Sequence, residues 1–140
     1  GKPLPQYLER HQTMIRPEHF EAIVTGMKWA VLQGTVWSQA RMKTIEICGK
    51  TGTAQNPHGK DHSIFICFAP KDNPKIAVAT VVENSGFGGF VAAPIATLMV
   101  EKYLNDTISR KNLYKHMLTR DFIHKDTTED GKGREAGKNH

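Results

Sequence analysis

The stretch ICGKTGTAQ, Ile47 to Gln55, decides how the rest of the chain is read, because its lysine fits two unrelated chemistries. Gly49-Lys50-Thr51 has the form of the last residues of a phosphate-binding P-loop. Lys50-Thr51-Gly52-Thr53 also has the form of a strand edge that presents a cation and two hydroxyls. The P-loop reading fails on its neighbours. The position where G-x-x-x-x-G-K-[ST] needs its first glycine is Thr44, and TGTAQNPHG after Lys50 carries Pro57 and no helical period to open a phosphate-binding helix. A second glycine-rich stretch, Gly86, Gly88 and Gly89, does not form G-x-G-x-x-G, since the third glycine falls on Val91.

Outward from this stretch the chain alternates structure signals in a simple order. Upstream, Pro17 fits the first turn of a helix, and Phe20, Ile23, Val24, Met27, Ala30 and Val31 recur at helical spacing until Gly34. This predicts an amphipathic helix with one buried face. Strands are predicted over Thr44–Gln55, Ser63–Ala69 and Ile76–Val82, the last two joined by the turn PKDNP at residues 70–74. Their nearly continuous apolar runs predict strands covered on both faces. ENSGFGGF, residues 83–90, reads as a tight exit turn into a second helix from about Ala92 to Leu104 with Pro94 in its first turn. Leu113, Met117, Leu118 and Phe122 indicate a weaker third helix, and from Asp126 the polar composition predicts disorder. Helix, three strands and helix with short connections predict an α/β chain of α+β type, an antiparallel sheet with helices packed on it.

Composition limits the function classes. The 140 residues are 39% hydrophobic and carry a formal charge of +5, but the basic residues are scattered and have no interleaved aromatics, which argues against nucleic acid as a partner. The two cysteines, Cys48 and Cys67, are too few for a disulfide scaffold and have no zinc spacing. Buried free thiols are the first expectation, with a cross-strand bridge open to neighbouring strands in an oxidising compartment. His58 and His62 are separated by Gly59, Lys60 and Asp61 after Pro57, which suits a solvated loop better than a metal site. No metal and no cofactor is predicted. Trp29 and Trp37 read as packing residues around the first helix.

K-T-G belongs with S-x-x-K and a second serine motif in Ser/Lys acyl transfer. Its chemistry needs an exposed edge along which an extended peptide can lie. Lys50 supplies a cation for a substrate carboxylate and shifts nearby proton carriers. Thr51 and Thr53 supply hydroxyl donors, Gly52 leaves the approach unblocked, and a backbone N–H can complete an oxyanion hole. Strict strand alternation sets Lys50 on the face opposite Thr51 and Thr53.

GKTGTAQ, FAPKDNPKIAVATVVENSGFGG and AAPIA, with GMKWAVLQGT at residues 26–35 before them, together resemble the C-terminal part of the transpeptidase domain of class B penicillin-binding proteins, most of all the elongation type. The resemblance covers about residues 17–105. It implies a partial β-lactamase/transpeptidase-like fold, with residues 1–16 as a lead-in segment and 106–140 as a polar tail, partly helical and then disordered. It also implies a peptidoglycan D,D-transpeptidase that cross-links stem peptides through an acyl-enzyme and is a β-lactam target. On that basis Lys50 belongs to the carboxylate and proton-transfer network. Thr51, Gly52 and Thr53 bind substrate, and the Thr53 backbone N–H is an oxyanion donor. The implied partners are peptidoglycan stem peptides, β-lactam antibiotics, the remaining N-terminal part of the same domain and the cell-elongation machinery. The implied location is the extracytoplasmic, periplasmic side of the membrane, in a parent anchored by an N-terminal helix not found in this stretch.

The chain departs from the family pattern in one respect. Ser38, Ser63, Ser85 and Ser109 are followed three positions on by Arg41, Ile66, Gly88 and Asn112, so none begins S-x-x-K, and none begins S-x-N. The start at Gly1-Lys2-Pro3 reads as a cut point in a longer protein, and the expectation is a fragment that is inactive alone. Two other readings share the motif: a non-catalytic module that binds stem peptides or β-lactams, and a serine β-lactamase or β-lactam-sensor domain. The flanking segments disfavour the last.

Overall fold

The computed structural model describes residues 4–8, 12–34 and 36–121, with the side chains of Tyr7, Trp37 and Gln39 outside the description. The disorder expected from Asp126, the helical place of Phe122 and the packing of the Trp37 side chain therefore lie outside the described residues. A 3-10 turn at Pro5–Tyr7 precedes helix α1, Pro17–Leu32, which begins on its proline as expected. A short helix α2, Trp37–Ala40, was not foreseen, because four residues carry no readable period. Strand β1 runs Cys48–Ala54, β2 His62–Ala69 and β3 Ile76–Val82. Helix α3 spans Ala92–Asn105 and α4 spans Lys111–Thr119. The turn between β2 and β3 contains a cis Ala69–Pro70 bond and Asn73 in the left-handed region.

The three strands form one antiparallel sheet in the order β1-β2-β3. β1 begins later than expected, since Ile45 and Ile47 are buried in the core but stand before the ladder. Register sorts the side chains cleanly. Thr51 stands opposite Phe65 and Phe65 opposite Thr80, while Lys50 stands opposite Ile66 and Ile66 opposite Ala79. Ser63, Phe65, Cys67 and Ala69 point to the first of these faces and are buried. They meet Val31 of α1, Val36, Ala40 of α2, and Ala92, Ala93, Ala96 and Val100 of α3 in one core.

The expectation of strands covered on both faces is met only in part among the described residues: on the second face Cys48 is buried and Ile64 and Phe68 are half-buried, but the middle of that face lies open. The second face carries Ile64, Ile66, Phe68, Ala79 and Val81, and Ile66 and Val81 are 47% and 63% exposed. α1 shows the same incompleteness: Val31 is its buried residue, while Phe20, Ile23 and Trp29 are exposed. The predicted buried face of α1 and the predicted packing of Trp29 are thus corrected. The sequence patterns report burial that the described residues do not themselves supply.

α4 is tied to α3 by a buried carboxylate. Glu101, 2% exposed, accepts from the Ser109 N–H at 2.8 Å, from Ser109 Oγ at 2.5 Å and from Arg110 Nε at 2.9 Å. Burial pushes the Glu101 carboxyl up, but the bonds from Ser109 and Arg110 outweigh it and hold the group below the usual carboxylate value. Between α3 and α4, Leu98, Met99, Tyr103, Ile108, Tyr114 and Met117 line an apolar cleft of about 540 Å³.

Candidate active-site strand

Lys50, Thr51, Gly52 and Thr53 sit in the middle of β1, which is an edge strand among the described residues. An edge presents backbone N–H and C=O groups to anything that can lie beside it as an extended chain. The alternation anticipated from the sequence holds. Lys50 and Gly52 pair with Ile66 and Ile64 on the uncovered face, and Thr51 and Thr53 pair with Phe65 and Ser63 on the helix-covered face. Thr51 is half-buried and Thr53 exposed, so the Thr53 hydroxyl is at the rim of the covered side. The exposed Lys50 side chain turns back along the strand, and its Nζ donates to the Thr51 carbonyl at 2.8 Å. The ammonium therefore lies beside the segment's own backbone, where a carboxylate bound along the edge can exchange for the carbonyl.

The glycines on either side have separate causes. A Cβ on Gly49 would stand 2.5 Å from Phe65 Cζ and 3.0 Å from the Ile66 carbonyl, so the ring that fills the core lies across this position. A Cβ on Gly52 would stand 3.3 Å from the Ile64 Cβ on the uncovered face. Its absence keeps that face shallow beside Lys50, as an approaching peptide requires.

Both cysteines are free and buried. Cys67 pairs with Gly49 and Cys48 with Phe68, so the thiols occupy opposite faces of the sheet and the cross-strand bridge left open by the sequence cannot close. Burial pushes the Cys67 thiol up to about 11, partly offset by a hydrogen bond at the Val78 backbone. Burial, chiefly, also raises Cys48. At pH 8 we expect Cys67 to react with Ellman's reagent roughly a hundredfold more slowly in the folded chain than in urea. Equal rates in the two states would show that the thiol is not protected.

His58 and His62 do not share a site. His62 opens β2 and its Nδ1 accepts the Asn84 N–H at 3.0 Å, while the His58 N–H donates to Asn56 Oδ1 in the β1–β2 turn. Among the described residues no group of three or more His, Cys, Asp or Glu could hold a metal ion, and no helix is long and apolar enough to cross a membrane. Sequence reasoning missed the importance of Asn56 and Asn84. Asn56-Pro57 and Asn84-Ser85-Gly86 are visible turn signals, but nothing in their spacing shows that the two turns meet.

Residues 6–101 match the penicillin binding protein transpeptidase domain family. The chain is 40% identical over 109 residues to peptidoglycan D,D-transpeptidase PbpA of Mycolicibacterium smegmatis, covering 70% of this chain and 21% of that protein. It is 36% identical over 83 residues to peptidoglycan D,D-transpeptidase MrdA of Haemophilus influenzae, covering 49% of this chain and 13% of that protein. The aligned stretch is thus a small part of each relative's length. Among solved structures, Pseudomonas aeruginosa PBP2 in complex with WCK 5153 gives a TM-score of 0.62 at 32% identity, over 71% of this chain and 23% of that one. Penicillin-binding protein A from M. tuberculosis, as a penicillin G acyl-enzyme complex, gives 0.50 at 32% identity, over 61% of this chain and 20% of that one. The complex between PBP2 and MreC from Helicobacter pylori gives 0.53 at 25% identity, over 61% of this chain and 17% of that one.

Proposed function

The chain belongs to the penicillin-binding protein transpeptidase family, and from that premise we propose that it is the K-T-G-bearing C-terminal part of an elongation-type peptidoglycan D,D-transpeptidase domain. The observation that carries the reading is the edge strand whose Lys50 and Gly52 face an uncovered side of the sheet, flanked by exposed apolar residues. That side is where the rest of the domain would seat and bring a serine and its base to Lys50. The serine oxygen attacks the carbonyl of the penultimate D-alanine of a stem peptide, and the terminal D-alanine leaves with a proton on its amine. An amine of a second stem peptide then takes the acyl group and releases the serine. In this scheme the Lys50 ammonium holds the substrate's terminal carboxylate and tunes the proton carriers beside it. In the same scheme that carboxylate lies at the open edge of β1, where the Thr51 and Thr53 hydroxyls reach it from the face opposite Lys50, and the Thr53 N–H stabilises the oxyanion of the tetrahedral intermediate.

β-Lactams would acylate the same serine, a reading supported by the penicillin G acyl-enzyme of the M. tuberculosis relative. A partner in the elongation machinery is supported by the MreC complex of the Helicobacter pylori relative. Such an enzyme works on the extracytoplasmic side of the membrane, where its substrate lies. Since no S-x-x-K occurs in these 140 residues, the chain by itself is expected to form no acyl-enzyme.

Intact mass spectrometry after incubation with a penicillin tests the last statement directly. We expect an unshifted mass for this chain and a one-penicillin adduct for the protein that also contains the S-x-x-K part of the domain. In that larger protein Lys50→Ala should slow acylation roughly a hundredfold, the scale of losing one preorganised electrostatic contact. An adduct on a serine of this chain, or undiminished acylation of the variant, would refute the assignment.

A further inference from the structure

The three strands end together, and the turns that leave them are fastened to one another beside the K-T-G-T segment. Asn56 follows β1 closely, His62 opens β2, and Asn84 follows β3. Asn84 joins all three. Its side-chain Oδ1 accepts from Asn56 Nδ2 at 2.6 Å, and its N–H donates to His62 Nδ1 at 3.0 Å. Asn84 adopts a φ of 54°, a left-handed conformation that asparagine tolerates better than most residues. Asn56 is itself held by Asp61, whose Oδ1 accepts the Asn56 N–H at 3.1 Å, and the Asp61 carbonyl accepts the Gly86 N–H at 2.8 Å. From this fastening the chain runs on to Gly88, where a Cβ would collide with the carbonyl oxygens of Gly52 and Ile64. The glycine-rich loop therefore rests on the backbone of the K-T-G-T strand itself, and the Ala92 N–H closes the far side on Ser63 Oγ at 3.0 Å.

We propose that Asn84 is a positioning residue for the K-T-G-T strand: by tying the β1 and β3 exits together it seats the glycine-rich loop on Gly52 and fixes where Thr51 and Thr53 present their donors. This rests on the function assigned above to those residues. Asn84 does not touch substrate; it acts through Asn56, His62 and Gly88. The Asn84 N–H needs an acceptor at His62 Nδ1, which the tautomer with its hydrogen on Nε2 offers.

The test separates the fastening from the chemistry. Asn84→Gly removes the Oδ1 acceptor without straining the left-handed backbone, and Asn84→Asp keeps the acceptor. In this chain, amide exchange followed by NMR should quicken about tenfold at Ala54 and His62, the last pair of the β1–β2 ladder, in Asn84→Gly, the scale of losing one hydrogen bond. Cys67 and Phe68, at the other end of the ladder, should stay unchanged, and Asn84→Asp should match the unaltered chain. His62→Asn, whose Oδ1 can stand in for Nδ1, should also match it, whereas His62→Ala should not. Uniform quickening, or none, overturns the fastening. In the protein that also holds the S-x-x-K part, Asn84→Gly should lower the saturating rate of acylation by a fluorescent penicillin about tenfold with a smaller change in half-saturation. Asn84→Asp should recover that rate. An exchange effect without a rate effect leaves a merely structural tie and overturns the positioning role. If the unaltered larger protein is not acylated at all, the assigned function fails, and the exchange measurements alone then decide the fastening.

Discussion

Phe65→Ala should lower the stability of the chain by about 3–5 kcal/mol, the usual cost of deleting a fully buried aromatic. Phe65 is 0% exposed, on the central strand, with Thr51 opposite it on one side and Thr80 on the other. Its ring crosses Gly49 and belongs to the core that holds Val31, Ala92 and Ala96. The helices contribute small side chains to this core, Ala40, Ala92, Ala93 and Ala96, beside Val31 and Val100. A domain of this size has a total stability of only about 5–15 kcal/mol, so the loss is a large fraction of the whole. The urea midpoint of the variant measures it. A shift worth under about 1 kcal/mol would mean that the core collapses around the gap, and that the sheet does not depend on this ring.

Glu101→Ala should cost a similar amount, about 3–5 kcal/mol, by a different mechanism. Removing the carboxylate leaves the Arg110 guanidinium, Ser109 N–H and Ser109 hydroxyl without the acceptor that gathers them. A largely covered cation that has lost its anion is more damaging than the pair was stabilising, so α4 should detach from α3 before the sheet unfolds. Limited proteolysis between Asp106 and Lys111, compared with the thermal midpoint, distinguishes local detachment from general unfolding. The pH dependence has a definite sign. The carboxyl is held below its unfolded value, so its contribution is fully present above about pH 4–5 and is lost as pH falls through the folded value. Glu101→Gln should accordingly differ most from the unaltered chain near neutrality, and the two should converge in acid.

Much of the fold was readable because its signals are local. Pro17 and Pro94 marked helix first turns, and the apolar runs at Ser63–Ala69 and Ile76–Val82, the second rich in β-branched residues, marked strands to within a residue. The PKDNP turn made their pairing antiparallel. What failed was the inference from apolarity to burial. Ile66, Val81, Phe20 and Trp29 have the patterns of covered residues, yet the described residues leave each of them about half exposed. Hydrophobic periodicity records what a face must meet; whether the covering group lies within the same stretch of chain is a separate matter.

The sequence by itself determined the kinship and the chemistry on offer: a K-T-G-T segment in order with its flanks, a cation, two hydroxyls, an unblocked glycine, and no S-x-x-K. These are matters of residue identity and spacing, which need no coordinates. Only the tertiary structure decided that β1 is an edge among the described residues, that the face carrying Lys50 and Gly52 is the one left open while helices cover the face of Thr51 and Thr53, and that the two thiols cannot meet. It alone joined Asn56 to Asn84 across 28 positions and laid Gly88 on the strand that carries the motif. Those results depend on strand pairing and loop closure between distant residues, and a linear pattern contains no record of which distant residues come to touch.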